Sequence, residues 1–315
     1  MKSSIGLRIT GLLIVVSAVA TVCHAEERKT NNHNPIGGNI MFGRNDPSKY
    51  MSAQYPHGGP GTVRYMELTP REKFSTEFMF VHRGVLDPKS GLGEHAHRRM
   101  EEMYIVLDNN TARFTVNGRT AELPGPCMAL CPMGSSHGIY NPSDNVVQFM
   151  NVGVTYENHQ YDAVDFAKQN DLADAEVESP PPFLWSVLDT RLLQTVKAFY
   201  NGKGDMKMRR VWTADKFKTN WGFVNHYLLP PGSSIGYHRH EAMEEVYYIL
   251  KGSGRMTVDD VTVDVRAGDA ASVILNGSHG LYNNSKEDLE VISIAVTVKK
   301  GVYDGIELGD DLTGK

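Results

Sequence analysis

His95-Ala-His-Arg-Arg-Met-Glu-Glu-Met-Tyr-Ile-Val-Leu107 returns as His238-Arg-His-Glu-Ala-Met-Glu-Glu-Val-Tyr-Tyr-Ile-Leu250, an offset of 143 residues (238 − 95). Upstream, Phe74, Thr76, Phe80 and Val81 recur at the same offset as Phe217, Thr219, Phe223 and Val224. Downstream, Ser136-His137-Gly138 and Tyr140-Asn141 recur as Ser278-His279-Gly280 and Tyr282-Asn283. Val154-Thr155 and Tyr161-Asp162 return as Val296-Thr297 and Tyr303-Asp304. Self-similarity of this kind means one structural unit used twice.

Each unit reads as β structure. The runs 112–116, 146–152 and 291–296 are rich in β-branched and aromatic residues, and Asn117-Gly118, Lys251-Gly252 and Ala267-Gly268-Asp269 punctuate them as turns. Many short strands at close spacing indicate an all-β chain of two tandem barrels. Between the copies, 166–172 and 185–193 read as short connecting helices, separated by Pro180-Pro181-Pro182. Residues 26–65 read as an extended arm packed on the other barrel or on another chain, which makes a homodimer an open expectation.

The chain has 315 residues, 41% hydrophobic and 22% charged, which excludes disordered, collagen-like and coiled-coil architectures. A net charge of −5 without a long basic run gives no electrostatic basis for binding nucleic acid. Lys2 and Arg8, the almost uncharged stretch 9–22, and Cys23-His24-Ala25 ahead of Glu26-Glu27 form the pattern of a secretory signal peptide over 1–25. A bilayer-spanning helix needs about 20 apolar residues. The expectation is therefore a periplasmic or secreted protein with no membrane partner after cleavage. Only Cys127 and Cys131 then remain. Four residues apart on one strand, they lie ~13 Å from each other, against the ~7 Å limit for a disulfide. Two buried thiols are expected, unless the chain bends near Gly125-Pro126.

His95 and His97 alternate by two, so on a strand both imidazoles leave one face. Glu102 begins the next strand, and His137 follows a turn at Pro132-Met-Gly134. His238, His240, Glu245 and His279 repeat the set. A lone histidine is ordinarily a satisfied core residue; two matched sets of four are not. Three imidazoles and a carboxylate form an N/O site for a divalent transition metal (manganese, iron, nickel, copper or zinc), up to two ions per chain, with a position left open for a ligand. Glu101 and Glu244, one residue earlier, are expected to face outward to the surface.

These motifs resemble the cupin family, and the chain resembles a bicupin, with two double-stranded β-helix (jelly-roll) barrels. Its first motif, Gly, then His-x-His, three or four residues, Glu, six residues and Gly, is met by His238, His240, Glu245 and Gly252. The first copy has His95, His97 and Glu102, but Asn109 where Gly is usual. The second motif, Pro-x-Gly-x-x-His-x-x-x-Asn, is met by Pro132, Gly134, His137 and Asn141; in the second copy Ile274 and Asn276 replace Pro and Gly ahead of His279 and Asn283. Asn tolerates positive φ, so the turn is expected to survive. The implied organisation is a signal peptide at 1–25, an arm at 26–65, a first cupin domain at 66–167, a linker with short helices at 168–210, and a second cupin domain at 211–315.

The resemblance implies a metal-dependent enzyme with a small-molecule substrate. The leading expectation is a dioxygenase-type oxidoreductase acting on a small enol, phenol or diketone, in which Glu102 or Glu245 detaches to act as a base. A lyase or isomerase acting on a sugar or uronate is the alternative, and a non-catalytic metal- or sugar-binding bicupin is the third. Oxalate decarboxylases are expected to carry Arg shortly before His-x-His, where this chain has Gly93-Glu94 and Gly236-Tyr237; Arg83 is either a carboxylate clamp or a structural charge. Tyr104, Tyr247, Phe80, Phe223, Met150 and His226 are candidate pocket walls. The standard turn of the first copy favours it slightly as the working barrel.

Overall fold

The computed structural model describes residues 40–166, 172–259 and 261–315. The signal peptide expected at 1–25 lies outside them, as does the helix expected at 166–172 except for its two end residues. The described residues form two antiparallel jelly-roll barrels, each made of a seven-stranded and a five-stranded sheet.

In the first barrel the large sheet runs Trp185–Val187, Cys127–Cys131, Met100–Val106, Val147–Thr155, Phe78–Leu86, Thr62–Thr69, Met51–Gln54. The small sheet runs Val164–Asp165, Gly91–Ala96, Ser136–Tyr140, Thr111–Val116, Arg119–Pro124. The second barrel repeats this order, with Met243–Lys251 as its glutamate-bearing strand and Ser234–Arg239 and Ser278–Tyr282 as its histidine-bearing strands. Asn117 and Gly118, at φ 52° and 71°, make the two-residue hairpin turn that their sequence announces. Cys127 and Cys131 are free and buried, and burial pushes the Cys127 thiol up to about 12.

The repeated unit includes strands upstream of the His-x-His segments. Ile40–Gly43 pairs with Ala270–Val273 of the second barrel, and Trp185–Val187 pairs with Cys127–Cys131 of the first. The offset of 143 carries Phe42 onto Trp185, so each copy lends the same strand to the edge of the other barrel. This corrects the helix expected at 185–193. That segment is the strand Trp185–Val187 followed by one 3-10 turn, Thr190–Leu192, whose first turn is capped by the Asp189 carboxylate accepting from Arg191 N at 2.9 Å. A free sheet edge satisfies the backbone at once, whereas a short helix has to nucleate unaided.

The two large sheets share one apolar core, which draws Phe78, Met103, Ile105, Met150 and Val152 from one barrel and Trp221, Val224, Val246, Ile292 and Ile294 from the other. The strands are covered on both faces, which explains why 291–296 reads as a nearly continuous apolar run. Met150 belongs to this outer core and His226 bonds Glu290 at 2.7 Å, so neither is a wall of a barrel interior.

The outward turn of Glu101 and Glu244 is as expected, but the surface role is not: they are 0% and 1% exposed. The outer face of each large sheet is the neighbouring barrel. Glu244 accepts from Ser75 N at 3.0 Å and Thr76 N at 2.9 Å; Glu101 accepts from Lys218 N and Thr219 N, both at 2.8 Å, and from Thr219 Oγ1 at 2.7 Å. Arg83 is also spent here. Its Nε donates to Tyr248 Oη at 3.0 Å and its guanidinium to the carbonyls of Gly84 and Phe149, so it cannot serve as a clamp.

Removing either glutamate strands several buried donors, each costing about 1–3 kcal/mol. Glu244→Ala and Glu101→Ala should each lower unfolding stability by roughly 3 kcal/mol, read as a reduced denaturant midpoint at unchanged slope.

Candidate metal centres

Each centre is assembled at the facing inner surfaces of its two sheets. His95 lies directly opposite His137, and His238 opposite His279, across one antiparallel pair of the small sheet. Glu102 and Glu245 enter from the large sheet. The turn before the third histidine is stapled to the second one: Gly134 N donates to His97 O at 2.7 Å, and Asn276 N to His240 O at 2.8 Å. Asn276 holds φ 66° where Gly134 holds 83°, so asparagine does keep this turn.

Among the described residues, His95, His97, Glu102 and His137 form one buried group and His238, His240, Glu245 and His279 the other, with ligand atoms within 4.8 Å of one another. Opposite ligands bound at ~2.1 Å lie ~4.2 Å apart, so a small contraction closes either set on an ion. The orphaned atoms agree. Nε2 of His97 and of His137 are buried without a hydrogen-bond partner, although Glu102 oxygens lie 2.9 and 3.4 Å away. The chain therefore carries two sites for a divalent metal.

Backbone carbonyls fix the imidazoles, as outer partners of metal ligands do. Nδ1 of His95 donates to Gly93 O and Nδ1 of His238 to Gly236 O, both at 2.8 Å. His240 Nδ1 donates to Asp304 O at 2.6 Å, and His97 Nδ1 to Asp162 O. Each Nε2 lone pair is left for the centre. Burial holds His95 and His238 neutral, well below the ordinary imidazole range. Burial alone pushes Glu102 and Glu245 up, but the neighbouring imidazoles outweigh it and hold both carboxyls well below their usual value. Asn151 Nδ2 secures Glu102 at 3.1 Å; Ser293 Oγ and Tyr247 Oη secure Glu245, each at 2.9 Å.

An aromatic ring that sequence reasoning missed lies flat on the first histidine of each set. His57 stacks on His95 at 3.7 Å and 8°, and Tyr200 on His238 at 3.8 Å and 6°. Their backbones are left-handed, at φ 52° and 53°. Gly93 and Gly236 admit this loop: a Cβ there would meet His57 O at 2.1 Å or Tyr200 O at 2.0 Å. Positions 93 and 236 therefore have no room for any side chain, an arginine included. The 143-residue offset linking His57 and Tyr200 was available in the sequence, but the residues differ and the match is silent.

The linings also differ. In the second barrel a cavity of about 60 Å³ is lined by His238, His240 and Glu245 together with Tyr200, Arg210, Asn225 and Tyr227. The exposed Arg210 enters at the mouth. Its Nε donates to Asn225 Oδ1 at 3.1 Å, and its guanidinium lies 4.3 Å from the Phe223 ring centre and 5.9 Å from that of Tyr303. The offset places Glu67 at the position of Arg210 and His82 at that of Asn225. Burial pushes Glu67 up to about 7 and His82 down to about 4.

A cupin-domain family model matches residues 225–295. An oxalate-binding protein of Thermotoga maritima is 33% identical over 95 residues, 30% of this chain and 78% of that protein. An uncharacterised protein of Methanocaldococcus jannaschii is 34% identical over 65 residues, 21% of this chain and 52% of its own length. Among solved structures, oxalate decarboxylase from Bacillus subtilis is similar with a TM-score of 0.58 at 18% identity, over 88% of this chain and 80% of that one. AerE from Microcystis aeruginosa is similar with a TM-score of 0.52 at 14% identity, over 81% and 98%. At such identities the structural likeness speaks to the fold.

His95→Ala and His238→Ala should each remove one metal equivalent of the two bound by the wild type, read by elemental analysis. Glu67 titrates above its ordinary 4.5, so its contribution to stability is full below that value and is lost as pH rises through about 7. Glu67→Gln should therefore flatten this fall, and the gap in thermal midpoint between variant and wild type should widen in the variant's favour from pH 5 to pH 8.

Proposed function

The chain belongs to the cupin family as a bicupin, and from that premise we propose that it is a metal-dependent enzyme whose substrate is a small carboxylate, oxalate or a close analogue, taken up in the second barrel and cleaved in a lyase reaction. The observation that carries this reading is Arg210. Its side chain lines, together with His238, His240 and Glu245, a cavity of about 60 Å³, far below the ~300–1,000 Å³ of drug-sized sites. A cation on one wall and a metal on the other define a site for a compact anion. The ligand named for the Thermotoga relative and the substrate named for the Bacillus structure are of that kind.

His238, His240, Glu245 and His279 would hold the ion. When bound, it supplies Lewis acidity that draws charge from the substrate's oxygens. The other tasks fall to the chain. Arg210 orients a carboxylate through its free N–H groups, while Asn225 and the Phe223 ring fix the guanidinium plane. Tyr227 Oη accepts from Asn225 Nδ2 at 2.6 Å, which leaves its own proton to donate into the cavity. Burial raises Tyr227 and takes Tyr200 up to about 12, so both are donors and not bases at neutral pH. Glu245, tied at both oxygens, serves here as a ligand; the detaching-base role would require breaking those bonds. Export, from the pattern over 1–25, belongs to the same proposal and would put the reaction outside the cytoplasm.

The dioxygenase reading stands second, favoured by a donor set of neutral imidazoles and one carboxylate that suits iron or manganese. Oxygen separates the two. Under the lyase reading, oxalate is consumed at the same rate with and without dioxygen: its C–C bond breaks to release carbon dioxide, and the remaining carbon takes up one proton, supplied from solvent, to give formate. Strict dependence on dioxygen would move the assignment to the second reading; no turnover and no binding of oxalate would contradict the carboxylate assignment. Arg210→Ala should lower kcat/KM by roughly 10–150-fold, the loss of about 1.5–3 kcal/mol of charge-assisted bonding, with partial recovery in Arg210→Lys.

A further inference from the structure

The two centres share one ligand set and differ in what faces it. Across paired strands Glu67 stands opposite His82, as Arg210 stands opposite Asn225. Directly opposed residues lie on one face of a sheet, so both pairs look into their barrels. The rings beneath them match: Phe80 and Phe223 are equivalents. On Phe223 lies the guanidinium of Arg210, at 4.3 Å. On Phe80 lies instead the imidazole of His82, stacked at 4.4 Å and 3°, with Tyr65 at 5.0 Å from the same imidazole. The place of a cation is taken by a ring that burial keeps neutral at physiological pH, and the place of the arginine by a carboxyl group.

We propose that the two metal centres of this chain discriminate by charge: the second admits the small anion, the first excludes it, and the pairs Arg210/Asn225 and Glu67/His82 set the difference. The proposal rests on the carboxylate reading above and adds that two metals serve one anion site per chain. The physical reason is additive. Glu102 and Glu245 place the same negative charge at each centre, so the difference lies in the facing pair: where the second barrel has a guanidinium, the first has the Glu67 carboxyl, raised by burial first and by Glu72 next. An incoming dianion there meets like charge and no guanidinium, whereas in the second barrel it meets Arg210. Each inner wall thus selects on its own, although the metal ligands cannot tell the two apart.

The test is oxalate titration by calorimetry of protein loaded with manganese at both centres, with metal content measured before and after. The expected stoichiometry is one oxalate per chain. Arg210→Glu should weaken that binding by roughly 100-fold while retaining two metals. Glu67→Arg with His82→Asn, metal content again two, should raise the stoichiometry to two. Two equivalents in the wild type, or one equivalent that survives Arg210→Glu unchanged, would overturn the division while leaving the carboxylate reading intact. No binding by the wild type at all would instead sink the reading on which it rests. The wild-type count and Arg210→Glu decide the matter even if the double variant does not fold.

Discussion

A carboxylate sealed among three imidazoles at the middle of each barrel is the constraint around which the rest is arranged. Glu102 and Glu245 are each 2% exposed, and each has ligand atoms of three histidines within 4.8 Å. A buried, uncompensated anion is costly. The arrangement is stable as the coordination sphere of a cation, and the register of the small sheet delivers it: His95 against His137, His238 against His279. The carbonyls that hold Nδ1, the stapled turns at Gly134 and Asn276, and the ring laid flat on the first histidine all restrain the same few atoms.

The same strands fasten the barrels together. Glu101 and Glu102, like Glu244 and Glu245, are neighbours on one strand and point to opposite faces. One holds the metal site; the other is held by the backbone of the opposite barrel. The lent strands at Ile40–Gly43 and Trp185–Val187 make the exchange reciprocal. Each barrel thus depends on the other for an edge strand and for the anchoring of its glutamate-bearing strand.

The architecture and the two groups of four that the structure brings together were legible in the sequence, because a period of two places His95 with His97 on one face and because repetition removes coincidence. What stayed hidden has physical causes. Alternation shows that Glu101 turns away from the barrel, but not that another barrel waits there. The exchanged strands share no identity, and 185–193 has the composition of a helix until a sheet edge claims it. Asn276 was read correctly as a stand-in for glycine. The feature that separates the two centres lies at 67 and 82 against 210 and 225, where the copies differ, and a search for likeness passes over it. The turn at Pro132-Met-Gly134 reports backbone geometry and carries no information on what faces the metal.

The most direct measurement is a crystal structure of the metal-loaded protein soaked with oxalate. The expected result is an ion in each barrel, with the anion on the second one only and one of its carboxylates within hydrogen-bond distance of the Arg210 guanidinium. An anion on the first ion, or on the second with Arg210 turned away, would contradict it.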